Sequence, residues 1–131
     1  MTAFLVFVHE WLGYAVSLLV LVVAFMAFGR AKDAREFRAG PFAGAMVLLD
    51  IQVTIGLIQY VVGGYWDARP EIAYLHPILA IAALGVGHAM LGRARKQQMA
   101  ADAHRTVGRG LLIALGLLFA AIGVASAPPF L

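Results

Sequence analysis

Tyr74–Arg93 reads YLHPILAIAALGVGHAMLGR, and this stretch decides how the chain folds. Apart from His76 near its start and His88 near its end it is apolar, and it stops at a basic cluster, Arg93, Arg95 and Lys96. A helix of ~20 residues rises ~30 Å, the thickness of a bilayer's hydrocarbon core. Histidine is costly inside such a span, so by default each one is expected to mark a functional site. The remainder of the sequence has to supply its partners.

Three further apolar runs stand around this one. Ala3–Phe28 opens the chain, with His9, Glu10 and Trp11 near its start; lacking a basic n-region and a small-residue cleavage site, it reads as a retained span rather than a cleaved signal peptide. A second span starts at Pro41, where a missing N–H costs a helix nothing, and runs to Val62. Thr106–Ala127 makes the fourth, closed by Pro128 and Pro129. The expected fold class is therefore all-α: one domain, 1–131, forming an integral membrane four-helix up-down bundle with spans at about 3–28, 41–62, 71–92 and 106–127.

Composition agrees. Of the 131 residues 63% are hydrophobic and only 13% charged, whereas a soluble domain is about a quarter charged. The chain has no cysteine, which excludes disulfides, thiolate-held iron–sulfur clusters and covalent c-type haem attachment. Its net charge of +3 is a topology signal rather than a nucleic-acid footprint. Arg30, Lys32, Arg35 and Arg38 fall in the loop after the first span; Arg93, Arg95, Lys96, Arg105 and Arg109 flank the loop after the third; only Arg69 lies at the other end. By the positive-inside rule both termini and the Trp66 turn are expected to be extracytoplasmic, in a bacterial cytoplasmic membrane.

His9 and His76 both lie toward the outer end of their spans, the first and the third, which run parallel and can face each other across a bundle. Two converging imidazoles are an axial ligand pair for a haem b iron held without covalent attachment. Counted from the inner basic ends, His9 is 21 residues before Arg30 and His76 is 17 before Arg93, a mismatch of about 6 Å in depth that helix tilt must absorb. His88 lies twelve residues after His76, about 120° around the helix and off its face. His104, between Asp102 and Arg105, reads as a solvated histidine in a polar 94–104 loop. Gly13 shares a helical face with His9, so it either packs helices closely or makes room for a flat cofactor. The other span glycines read as packing positions.

Asp50 falls near the middle of the second span, where a carboxyl is either protonated or paired, with Gln52 and Thr54 as neighbours able to share its hydrogen bonds. It carries the alternative function: a non-haem membrane subunit, or a proton-coupled transporter that uses Asp50 and Glu10. Trp11, Tyr14, Tyr60, Tyr65, Trp66 and Tyr74 cluster at the outer side, as an interfacial aromatic belt does.

The order of these signals is familiar. His9–Glu10–Trp11–Leu12–Gly13–Tyr14 opens one span, Gln52–Val53–Thr54–Ile55–Gly56–Leu57 sits in the next, and Tyr74–Leu75–His76 opens the third. Over residues 5–95 this resembles the haem-binding four-helix half of heme A synthases, and it is similar to small bacterial four-helix proteins labelled cytochrome b-like. The resemblance implies that His9 and His76 are axial haem ligands and that Gln52 and Gly56 line the pocket. Heme A synthases carry a glutamate three residues before the first histidine and an arginine after it; here those positions are Val6 and Glu10. The resemblance thus implies haem binding rather than haem modification. Taken together, the expectation is a b-type cytochrome that transfers single electrons, working in the lipid bilayer with membrane-protein partners or further copies of itself. Quinone is a candidate redox partner and nucleic acid is not.

Overall fold

The computed structural model describes residues 2–127. Four long helices run α1 (Thr2–Lys32), α2 (Gly40–Gly63), α3 (His76–Ala94) and α4 (Ala100–Ser126), and among the described residues there are no strands. All four spans, α3 together with the turn that leads into it, are long and apolar enough to cross a membrane. The expected all-α four-helix bundle is what forms. Each helix packs on its two neighbours, α1 on α2 and α4, α3 on α4 and α2. That leaves α1 and α3 on one diagonal.

α1, α2 and α3 have little amphipathic character and α4 more; the core sets many alanines around a few large side chains, Phe42, Met46, Leu49 and Leu111. Ala24, Ala27, Ala45, Ala83 and Ala114 are fully buried, while Leu18, Phe25, Ile78 and Phe119 point outward. Small residues let helices approach closely where lipid supplies no hydrophobic drive. The tightest approach joins α3 and α4: a Cβ built on Gly110 would lie 2.3 Å from Cβ of Met90.

Helix ends differ from the expected boundaries where polar residues continue a helix beyond the apolar run. α1 extends four residues past Phe28, to Lys32, and α4 begins at Ala100, six residues before Thr106. Charge patterning marks where a chain leaves lipid, not where its backbone stops coiling. Pro128 and Pro129, expected to close the fourth span, lie outside the described residues. At the other end of the bundle a 3₁₀ turn, Tyr65–Asp67, follows Gly64, whose φ of 65° a glycine adopts without strain.

The lead into α3 is a π-helical turn, Glu71–Leu75, with the His76 N–H bonded to the Glu71 carbonyl. Its cause is Pro77. Proline has no N–H to offer the carbonyl four residues back, and its ring crowds that carbonyl, so the turn widens. The carbonyl concerned is that of Ala73, and the Tyr60 hydroxyl of α2 donates to it at 3.0 Å. On the other side Arg69 Nη2 donates to the Ala127 carbonyl at 2.7 Å, tying the turn to the end of α4. His76 therefore begins a helix whose first turn is held from both flanks.

Candidate functional site

Between α1, α2, α3 and α4, toward the end that carries the Trp66 turn, lies a cavity of about 530 Å³. This is within the size range of small-molecule and cofactor pockets. His9, Gly13, Gln52, Gly56 and His76 all border it. Every residue singled out from the sequence for the cofactor site is thus on one wall or another of the same space.

His9 and His76 reach in from the diagonal helices, and their ring centroids stand 6.0 Å apart at an interplanar angle of 79°. The four-residue offset in depth does not keep them apart.

Each imidazole is oriented by a different device. His76 Nδ1 lies 2.8 Å from the Ala121 carbonyl of α4. A carbonyl oxygen can only accept, so Nδ1 carries the proton and Nε2 keeps a free lone pair. This is the state in which metal-ligating histidines are commonly held. His9 is held by Gln52, whose side-chain nitrogen donates to the His9 carbonyl at 2.8 Å and to His9 Nδ1 at 3.1 Å. The first bond fixes which end of the amide is nitrogen. The second then makes Nδ1 an acceptor and leaves the proton of a neutral His9 on Nε2. The cavity is thus offered a lone pair by His76 and an N–H by His9. A half-turn of the Gln52 amide reverses the second: Oε1 would accept from Nδ1–H and free Nε2.

The two glycines have plain steric roles. A Cβ on Gly56 would stand 2.7 Å from Cε1 of His9, and one on Gly13 would stand 2.8 Å from the Gln52 amide nitrogen. Gly56 is the bed of the His9 ring, and Gly13 gives Gln52 its path to His9.

Two acceptors on the cavity wall, Gln52 Oε1 and Gln59 Oε1, are buried without a partner. Buried polar atoms in native proteins are nearly always satisfied, so these two orphans are exceptions beside the cavity. Two imidazoles do not make a site for a bare metal ion, which takes three or four protein ligands in zinc sites. No group of three His, Cys, Asp or Glu gathers among the described residues. As held here the pair offers one lone pair, from His76, and one N–H, from His9.

The remaining histidines are elsewhere. His88 Nε2 meets Asp50 Oδ1 at 2.8 Å across α2 and α3, and neither residue borders the cavity. Asp50 is therefore paired, though not with the neighbours expected. Gln52 turns to His9, and Thr54 bonds only the backbone carbonyl of Asp50. His104 corrects the sequence expectation outright. It is fully buried rather than solvated, its ring set against Phe37 and Phe42 with centroids 5.1 and 5.8 Å away, and Nε2 donates to the Arg35 carbonyl at 3.2 Å. The polar residues around it face outward, while the first loop folds its own apolar side, Phe37, over the start of α4. With His88 on the α2–α3 seam and His104 in this cage, the two form no second ligand pair.

Sequence reasoning missed two contributors, the Ala121 carbonyl and Tyr60. The first leaves no mark in a sequence, since any residue carries a carbonyl. The second had a signal: Pro77 frees the carbonyl at 73, which then needs a donor. A search of protein-family models, characterised proteins and solved structures finds no match to this chain.

Proposed function

We propose that this chain is a membrane-embedded b-type cytochrome that holds one haem between His9 and His76 and passes single electrons within a larger membrane assembly. The observation that carries the reading is the convergence of these two rings, from diagonal helices, on one cavity. A haem held there would supply a one-electron couple, with a potential set by imidazole ligation and low-polarity surroundings. His76 comes ready, its Nδ1–H anchored on Ala121 and its Nε2 free. His9 would become a ligand once its proton moves from Nε2 to Nδ1, which requires the Gln52 amide to turn over and give up its bond to the His9 carbonyl. Gly13 and Gly56 keep the space in which His9 and Gln52 move. Asp50 does not border the cavity, which favours this reading over a proton-coupled transporter working through that carboxyl.

The orientation belongs to the same proposal. Nine of the ten basic residues lie at the end opposite the cavity, so the haem would sit near the extracytoplasmic face of a bacterial cytoplasmic membrane, with both termini outside. A haem on one side cannot carry charge across ~30 Å alone. A membrane-protein partner, or a lipid-soluble carrier such as quinone, would complete the path.

The test is an absorption spectrum of the protein purified in detergent from haem-replete cells. A low-spin bis-histidine spectrum is expected. His76→Ala and His9→Ala should each turn it high-spin or abolish it, while His88→Ala and His104→Ala should leave it unchanged. Haem-free protein, or loss of haem with His88→Ala and retention with His9→Ala, overturns the proposal. A reporter fused after Leu131 that is active only in the cytoplasm overturns the orientation.

A further inference from the structure

Asp50 and His88 form a hydrogen-bonded pair on the outside of the bundle. Their side chains are 41% and 50% exposed, and they meet 2.8 Å apart on the seam between α2 and α3. Asp50 lies ten residues into α2 from Gly40, and His88 six residues before the end of α3. That is ~15 and ~9 Å from the helix ends, inside the hydrocarbon region. Ionisable side chains at such depth almost always face protein or a water-filled cavity, because lipid offers them no partner. The two residues satisfy each other but stay about half exposed, so a second protein surface over the pair relieves the cost that remains.

The chemistry of the pair points to the cover. Low-polarity surroundings favour the pair without net charge, as carboxylate with imidazolium or as carboxylic acid with neutral imidazole. In both forms one proton lies between Oδ1 and Nε2. In both forms, too, Nδ1 carries a second proton and Oδ2 accepts. Neither Nδ1 nor Oδ2 makes a further side-chain bond among the described residues. The patch thus presents one spare donor beside one spare acceptor, and it complements itself. Under two-fold symmetry each His88 Nδ1–H meets the other copy's Asp50 Oδ2, which is what an isologous contact requires. Room for the approach exists: Gly85 and Gly92 lie one helical turn to either side of His88, and a Cβ added at either meets nothing within 4 Å. Small residues on the outward face of a span permit close helix contact.

We infer that the α2–α3 seam is the dimer interface between two copies of this chain, closed by reciprocal Asp50–His88 hydrogen bonds. The interface is independent of the haem reading, since neither residue touches the cavity.

The absence of cysteine in the chain makes the test clean. Ala89→Cys, exposed beside His88, should cross-link to a dimer on mild oxidation in native membranes, while Phe25→Cys on the outward face of α1 should not. In detergent, His88→Ala and Asp50→Ala should each raise the dimer dissociation constant by about 8- to 300-fold, because each removes both reciprocal interhelical hydrogen bonds. The exchanged double variant, Asp50→His with His88→Asp, keeps the pair and should recover dimerisation. Cross-linking of Ala89→Cys to a protein of different mass overturns the inference, as does a dimer indifferent to both single substitutions. A wild-type chain that stays monomeric in membranes overturns it equally.

Discussion

The His9–His76 end and the His104 end of the bundle bury the same side chain to opposite effect. His104 is the more deeply buried, with no exposure at all, and nothing can reach it: two phenylalanines close on its ring and a backbone carbonyl accepts its Nε2–H. His9 and His76 are only partly buried, both border unfilled space, and among the described residues neither Nε2 makes a hydrogen bond. Burial alone therefore does not mark a site. Unused valence beside unfilled volume does, and only the outer end has both.

The largest expected effect would break this comparison from the caged side. His104→Ala removes a buried ring and the anchor of the first loop, and should cost about 3 kcal/mol in a detergent unfolding titration. The absorption spectrum of any haem at the outer cavity should not move. A spectrum lost together with stability would mean that the two ends are not separate. Gln52→Leu tests the other side. It removes the amide that orients His9 and should weaken haem binding by about 10- to 100-fold, the usual cost of losing a ligand's supporting hydrogen bond. Stability should stay within about 1 kcal/mol of wild type. Smaller again is the contrast between two glycines. Gly56→Ala forces the His9 ring aside and should lower haem affinity by about tenfold, a mild overpacking penalty. Gly87→Ala meets only the flexible end of Met46 and should leave affinity unchanged. The smallest effect is that of Tyr60→Phe: it strands the Ala73 carbonyl and should cost about 1 kcal/mol, read by thermal unfolding.

The four spans were legible in the sequence because hydropathy over twenty residues integrates a signal that no single substitution hides. The diagonal placement of His9 and His76 followed from short connections between them. What could not be read was anything decided by the angle of one side chain. Gln52 and Asp50 are two residues apart on one helix, about 200° around, and nothing in the spelling says that the first turns inward to His9 and the second outward to His88. The environment of His104 was hidden for a different reason. Its sequence neighbours Asp102 and Arg105 are polar, and the residues that enclose it, Phe37 and Phe42, lie over sixty positions away. Local context predicted water where long-range packing supplied aromatics.

The π-helical turn before His76 also bears on how the chain tolerates changes in length. A turn of this kind holds one residue more than the surrounding helix needs, so Glu71–Leu75 is a joint with slack in it. Deleting a single residue there would be absorbed by the wide turn and by the non-helical 68–69 segment before it, and everything from His76 onward would keep its facing. The same deletion at Ala82, in the middle of α3, has no slack to consume. It would swing His76 by about 100° relative to the α4 surface that grips Met90, and the cavity would lose the imidazole that comes ready to bind.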